Sequence, residues 1–470
     1  MSDFEQKPFD TFGEECGVFG MFSSESGTLS PAVACYHGLY SLQHRGQESC
    51  GIAVSDSGVV SGYKGMGLVC DVFNEDVLNS LKGQIAISHV RYSTAGASKA
   101  ENAQPLIMRY AKGRIAIAHN GNLTNAIDIR NELSQTGAMF QTTIDSEVIA
   151  HIIAKNRISS KSIEQAVIKT MKKIKGAYSL LVMSPSKLVA ARDPFGFRPL
   201  VLGKIGSSYI VTSETCALDS VGADFIRDIE PGEVVMIDKD GIKSFKDNCT
   251  NQKRTCIFEY IYFARPDSVI DGVTVHDARI TAGKELAIEH PADADVVIGV
   301  PDSGLDAAVG FSQQSGIPYT IGFVRNNYVG RTFIKPTQSE RSSSIGIKLN
   351  VLREGVEGKR VVMVDDSIVR GTTCANIVRA LKNAGAKEVH VRISAPTVHW
   401  PCYFGTDIPT KEELTANHHS VEEMCKLIGA DSLGFLNKEK LCKLVNSDCK
   451  NFCDACFTGD YPIPLDEIHT

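Results

Sequence analysis

The chain has 470 residues, 43% of them hydrophobic and 22% charged. That composition belongs to a folded protein of two or three domains and excludes a disordered, collagen-like or coiled-coil chain. With 49 basic against 55 acidic residues the formal charge is −6, which argues against nucleic acid as a partner. No apolar run approaches the ~20 residues that cross a bilayer. The acidic, polar opening MSDFEQKPFDTFGEE lacks the features of a secretory signal. A cytoplasmic protein with no membrane partner is therefore expected.

In chain order, residues 16–245 read as many short strands with a few helices. Residues 16–22 (CGVFGMF) form an apolar strand. Residues 114–119 (RIAIAH) alternate in strand fashion and end at Asn120-Gly121, a turn dipeptide. Segments 146–155 and 162–175 carry helix-like apolar spacing, and 201–203 and 209–212 look like further strands. This predicts an α+β domain of packed sheets. A polar stretch, 244–254 (SFKDNCTNQKR), marks a boundary. Beyond it, apolar strands at 294–300, 360–364 and 389–394 alternate with helical stretches at 305–315 and 373–383. That alternation predicts an α/β domain with a parallel sheet over residues 256–410. Residues 411–445 look helical and polar and lead into a Cys-rich tail, so 411–470 is expected to form a C-terminal helical extension.

Fourteen cysteines are present, six of them in the last 70 residues. Without a signal peptide the compartment is expected to be reducing, which makes a disulfide framework the weaker reading. The densest group is 449–456 (CKNFCDAC). Its C-x-x-C turn lets two thiolates reach one metal, and a complete site needs ligands from elsewhere in the chain. Metal or cluster binding leads here over a redox pair or buried small hydrophobes.

The sharpest local motif is 361–373 (VVMVDDSIVRGTT). An apolar strand delivers Asp365 and Asp366 to its C-terminal end, where open α/β sheets hold ligands. The small-residue turn that follows enters a helix, whose first N–H groups and dipole suit a phosphate. Adjacent carboxylates suit sugar hydroxyls or a Mg2+ ion held partly through water. A bare Asp-Asp would be a loop and cap pair, but the full string resembles the phosphoribosyl-pyrophosphate signature of the phosphoribosyltransferases. Residues 299–304 (GVPDSG) supply a second small-residue turn after a strand, suited to pyrophosphate. The polar, basic, Ser-rich segment 330–345 suits a mobile lid over an anionic substrate, with a solvated loop equally compatible; the resemblance carries the lid to 330–348.

Cys16 alone, ahead of a strand, would be a buried small hydrophobe. Four strings change its weight: 42–48 (LQHRGQE), 89–96 (HVRYSTAG), 118–125 (AHNGNLTN) and 142–147 (TTIDSE). With Cys16 they resemble the glutaminase domain of N-terminal-nucleophile amidotransferases. The resemblance implies that residues 1–15 are a propeptide, cut between Glu15 and Cys16. The freed α-amino group, which ordinarily titrates at about 7.7–8.0, would then help activate its own thiol. It further implies that Cys16 attacks the glutamine amide, with the Asn120 side-chain amide and the Gly121 N–H holding the oxyanion. Arg91 would fork onto the substrate carboxylate, Asp145 would pair with its α-ammonium, and Arg45 would support the nucleophile. Singly each has a bland reading: ion pairs for Arg45 and Arg91, a hairpin turn for Asn120-Gly121, a helix cap for Asp145.

A glutaminase half followed by a phosphoribosyltransferase half is similar to the amidophosphoribosyltransferase family, from Cys16 to about Pro464. That resemblance implies an N-terminal-nucleophile glutaminase domain, with sheets sandwiched between helices, and then a type I phosphoribosyltransferase domain. It implies that glutamine, phosphoribosyl pyrophosphate and water give 5-phosphoribosylamine, glutamate and pyrophosphate, with ammonia passing inside the protein. Ser303, Asp365 and Asp366 would contact Mg2+ or the ribose hydroxyls, and Gly304 would line the pyrophosphate turn. Ser367, Arg370, Gly371, Thr372 and Thr373 would hold the 5′-phosphate. Cys256, Cys402, Cys453 and Cys456 would carry a structural [4Fe–4S] cluster, with zinc the runner-up metal and Cys442 and Cys449 rival ligands. His418 and His419 read as a solvated helix end. Purine nucleotides are the expected inhibitors and a homodimer or homotetramer the expected assembly. A glucosamine-phosphate or asparagine synthetase sharing the first half is disfavoured, because no Ser-Gly-Gly-x-Asp-Ser motif occurs. A silent nucleotide sensor is disfavoured by the intact site residues.

Overall fold

The computed structural model describes residues 16–24, 29–92, 98–326, 349–408, 410–445 and 449–468. The expected propeptide, the expected lid and the end of the 89–96 string lie outside the described residues.

The first half is built from two antiparallel sheets. One contains β1 (Gly17–Phe22), β2 (Ser49–Asp56), β3 (Val59–Met66), β4 (Ile85–Arg91), β9 (Val201–Ile205), β10 (Ser208–Thr212) and β11 (Asp224–Asp228). Their order is β11-β9-β10-β1-β4-β2-β3. The other contains β5 (Leu106–Tyr110), β6 (Gly113–Leu123), β7 (Gly176–Ser184), β8 (Lys187–Arg192), β12 (Val234–Asp238) and β13 (Gly241–Phe245), in the order β13-β12-β8-β7-β6-β5. Successive side chains of a strand leave on opposite faces, and here both faces are apolar. Val18, Ile87, Ala118 and Leu181 fill the space between the sheets. Phe19 and Met21 pack instead under helix α1 (Pro31–Ser41). Ile115 and Ile117 pack under helices α2 (Asp145–Ser159) and α3 (Ile163–Met171). The expected helix–sheet–sheet–helix sandwich is what forms.

Asn120-Gly121 is not a turn. Strand β6 runs through it to Leu123, with Asn120 opposite Ser179 and Gly121 opposite Tyr178. Gly121 has φ +139°, and a Cβ there would sit 2.1 Å from the Ala177 carbonyl oxygen. Glycine is required by this close approach of two backbones, not by a chain reversal.

The second half has a four-stranded parallel sheet: β14 (Val296–Gly299), β15 (Arg360–Asp365), β16 (Glu388–Ile393) and β17 (Ser432–Phe435). Helices α4 (Val275–Glu289), α5 (Gly304–Ser315), α6 (Thr372–Asn383) and α7 (Val421–Ile428) accompany it. Helices α4 and α5 cross in backbone contact, because a Cβ on Gly283 would lie 1.9 Å from the Ala307 carbonyl oxygen. The C-terminal segment is not a separate helical extension. It contributes α7 and β17, and Met424, Ile428, Phe435 and Leu436 join the core of the transferase half. A four-residue strand, SLGF, is too short to show a period in sequence. Beyond it, Phe452–Cys453 pairs in parallel with Thr255–Cys256 and closes the tail onto the start of this half. The linker is docked as well: Arg254 N–H donates to the Phe195 carbonyl at 2.7 Å and Cys256 N–H to that of Phe197 at 3.0 Å.

Candidate active sites

Cys16 stands at the head of β1 and is 6% exposed. Pairing of β1 with β4 sets Gly17 opposite Val90 and Val18 opposite His89. The His89 ring reaches the other sheet, its Nε2 lying 3.0 Å from the His119 carbonyl oxygen. A carbonyl can only accept, so Nε2 carries the proton. Burial pushes His89 down to about 3, which keeps this tie neutral. The tie holds the ends of β4 and β6 together and brings Cys16, Arg91 and Asn120 to one end of the sandwich. There the Asn120 Nδ2 is buried with no hydrogen-bond partner among the described residues. Buried amide donors rarely go unsatisfied, and an uncommitted donor is what an oxyanion needs.

Asp145 is buried behind this strand. Its Oδ2 accepts from Leu123 N–H at 2.9 Å, and its Oδ1 lies 3.5 Å from His119 Nδ1. Burial works to raise this carboxyl, but His119 and the N–H groups of Leu123 and Ser146 hold it below the usual range. Arg91 is buried and its Nη1 donates to Glu48. Arg45 is also buried, and its Nε donates to the carbonyl of Cys16 itself at 3.1 Å. Its two Nη groups bind Glu214 at 2.5 Å and Glu259 at 2.7 Å. The sequence does not single out Glu48, Glu214 or Glu259, although Glu48 lies inside the 42–48 string. A buried acid far away in the chain leaves no local signal.

In the second half, Asp365 and Asp366 emerge at the C-terminal end of β15, 9% and 8% exposed. Burial raises both carboxyls, and Asp366 raises Asp365 further. Ser303 Oγ and Ser367 Oγ both donate to Asp366. The two motif loops meet because Gly304 packs on the end of β15, where a Cβ would lie 2.6 Å from the Val364 carbonyl oxygen. Gly371, at φ +82°, turns the chain into α6, so Thr372 and Thr373 form its first turn. Arg370 Nη2 donates to Glu413 at 2.8 Å. Two buried like charges ending a strand, beside a helix N-terminus, can hold a divalent cation and an anionic sugar together.

Cys256, Cys402, Cys453 and Cys456 line one pocket, walled otherwise by aromatic rings such as Phe258, Phe404 and Tyr461. Cys256 and Cys453 are register partners in the small parallel pair. Burial, together with the neighbouring thiols, holds Cys453 and Cys456 far above the usual thiol range. Among the described residues no three His, Cys, Asp or Glu side chains converge on a point where one metal ion could sit. Cys442 packs against the transferase core, and the side chain of Cys449 lies outside the described residues. His418 and His419 sit at the surface ahead of α7, where the His418 ring meets the Glu412 carbonyl at 2.7 Å. No described helix is long and apolar enough to cross a membrane.

Comparison with known proteins agrees with this division. A glutamine amidotransferase domain matches residues 89–220, and a phosphoribosyl transferase domain matches residues 272–396. The amidophosphoribosyltransferase of Bacillus subtilis is 49% identical over 457 residues, covering 96% of this chain and 95% of that one. That of Methanocaldococcus jannaschii is 48% identical, covering 95% and 97%. Among solved structures, the glutamine phosphoribosylpyrophosphate amidotransferase of B. subtilis complexed with ADP and GMP superimposes with a TM-score of 0.88 at 48% identity, covering 95% and 97%. A structure of the allosteric regulatory enzyme of purine biosynthesis gives 0.90 at 47% identity, covering 96% and 98%. Both catalytic halves, in this order and over nearly the whole of both chains, are shared at close to half identity, and the chain belongs to the amidophosphoribosyltransferase family.

Proposed function

We propose that the chain makes 5-phosphoribosylamine, glutamate and pyrophosphate from glutamine, phosphoribosyl pyrophosphate and water, using the residues assembled above. After removal of residues 1–15, the free amino group of Cys16 takes the thiol proton and Sγ attacks the glutamine amide carbon. The oxyanion is met by Asn120 Nδ2 and the Gly121 N–H, while Arg91 and Asp145 hold the two ends of the substrate. The amino group returns that proton to the departing nitrogen, ammonia leaves, and water then cleaves the thioester to glutamate and the free Cys16 thiol. Carried through the protein, ammonia stays neutral and attacks C1 of the ribose as pyrophosphate departs.

In the transferase half, Ser303, Asp365 and Asp366 suit a Mg2+ ion or the ribose hydroxyls, and residues 367–373 suit the 5′-phosphate. The raised carboxyls favour a cation, which would neutralise charge developing on the pyrophosphate. The four-cysteine cavity fits a [4Fe–4S] cluster better than zinc. A single zinc at about 2.3 Å from each sulfur draws four thiolates to one point, whereas these thiols surround a space. A cluster would hold the tail against both ends of the transferase half. Purine nucleotides as inhibitors are supported by the solved relative that carries ADP and GMP.

The observation that carries the glutaminase assignment is the buried Asn120 amide, which has no partner among the described residues, at the Cys16 end of the sandwich. Cys16→Ala is the test. Glutamine-dependent synthesis should vanish while ammonia-dependent synthesis survives, and mature active protein should begin at Cys16. Loss of both activities together would overturn the two-site reading.

A further inference from the structure

The Cys16 end of the sandwich is supported by residues from the other half of the chain. Glu259 belongs to the transferase half, immediately after the Thr255–Cys256 strand. Its side chain is fully buried and grips both Nη groups of Arg45, at 2.7 Å and 3.0 Å. Arg45 in turn donates through Nε to the Cys16 carbonyl at 3.1 Å. On its other side Glu259 meets Arg198 Nη1 at 3.4 Å. Arg198 continues from Nη2 to the Phe404 carbonyl at 2.8 Å and the Thr406 hydroxyl at 3.3 Å.

A continuous buried chain, Cys16–Arg45–Glu259–Arg198–Phe404, therefore runs from the nucleophile to the loop that carries Cys402. That loop also rests on the oxyanion strand. A Cβ on Gly405 would lie 3.2 Å from Arg198 Nη2 and 3.3 Å from the carbonyl carbon of Gly121. A bare hydrophobic contact would bury such an interface at lower cost. Buried ion pairs seldom add net stability against apolar replacements, but they fix geometry, because a bidentate guanidinium–carboxylate pair tolerates little displacement.

We propose that Glu259 is a positioning residue for glutamine hydrolysis: reaching across from the transferase half, it sets Arg45, and through Arg45 the backbone of Cys16. The inference rests on Cys16 being the nucleophile and makes the first half-reaction depend on correct docking of the second half. Arg91 and Asp145, proposed above to hold the substrate, are not part of this chain. Glu259 should therefore govern the chemical step more than glutamine affinity.

The test uses mature full-length protein. In Glu259→Gln the glutamine-dependent kcat should fall by about tenfold or more with glutamine KM within about twofold, because positioning for the transition state is what is lost. Ammonia-dependent synthesis should stay within about twofold, and Glu259→Asp should recover part of the loss. An unchanged glutamine-dependent kcat, or a parallel fall in both activities, would overturn the proposal. Should Glu259→Gln fail to fold, Arg198→Lys reads the same chain from its far end: a selective loss of glutamine-dependent kcat supports the proposal, and no selective loss overturns it. Cys16→Ala is run alongside. If it still uses glutamine, the nucleophile assignment has failed; if it does not and Glu259→Gln is normal, the positioning role alone has failed.

Discussion

The side-chain amide of Asn122 donates to the Tyr403 carbonyl at 3.0 Å, joining strand β6 to the residue next to Cys402. Asn122 lies two residues beyond Asn120 on β6 and so points to the same face. Asn122→Ala removes the donor and is expected to cost about 1 kcal/mol of stability. By freeing the end of β6 it should also lower glutamine-dependent kcat by roughly fivefold, leaving ammonia-dependent synthesis intact. Thermal unfolding and paired assays with the two nitrogen donors check this. Equal losses with both donors would mean that the contact serves only the fold.

Asn120 makes the opposite kind of prediction. Its Nδ2 is buried with no hydrogen-bond partner among the described residues, so the described fold gains no hydrogen bond from that donor. Asn120→Ala should therefore leave the unfolding temperature unchanged or slightly raised. Glutamine-dependent kcat should fall by about 10²–10³, the usual effect of losing one oxyanion-hole donor. Glutamine KM should move little. A variant that is unstable yet nearly as active would remove Asn120 from the oxyanion role.

The elements legible in sequence are those with a long or repeated pattern. Strand β15 and helix α6 follow from four apolar residues, two acids and a Gly-Thr-Thr turn, and helix α5 begins one residue before its expected start. Strand β17 is not legible, because four residues around Gly434 carry no period. Gly434 is needed there for contact rather than pattern, since a Cβ would lie 2.5 Å from the His290 ring. Asn120-Gly121 reads as a turn in sequence because the dipeptide's φ preference is the same in a hairpin and in a strand that another backbone crowds. Motif strings name the site residues but not their partners. Glu214 and Glu259 reach Arg45 from 169 and 214 residues away, and only the fold reveals such pairs.

The His89–His119 tie predicts an acid-sensitive fold. Burial lowers His89 from 6.5 to about 3. Below pH 6.5 the unfolded chain binds a proton that the folded chain refuses. The unfolded state then holds more protons, so stability falls as pH drops from 6.5 toward 3 and is fully present above 6.5. His89→Gln keeps a donor that can reach the His119 carbonyl but does not titrate. Its unfolding temperature should change less with pH across this window than that of the parent chain. Indistinguishable pH profiles would show that His89 is not the group whose protonation destabilises the fold.

Removal of the proposed cluster should be visible through Trp400, the only tryptophan in the sequence. Its backbone N–H donates to the Cys456 carbonyl at 3.0 Å, and Lys411 Nζ lies 3.8 Å from the ring centroid. Gly459 packs on the indole so tightly that a Cβ would lie 2.8 Å from it. The ring is thus wedged between two segments that the four cysteines would hold together. Purified protein is expected to be brown, with iron and sulfide in equal amounts. Stripping the iron with a chelator should loosen residues 453–459, expose the indole and move its emission to longer wavelength and higher intensity. Cys402→Ser should reproduce that spectrum without chelator, since burial disfavours any thiolate left uncompensated in the cavity. Colourless active protein containing only zinc, or an emission spectrum that ignores iron loss, would remove the cluster from this cavity.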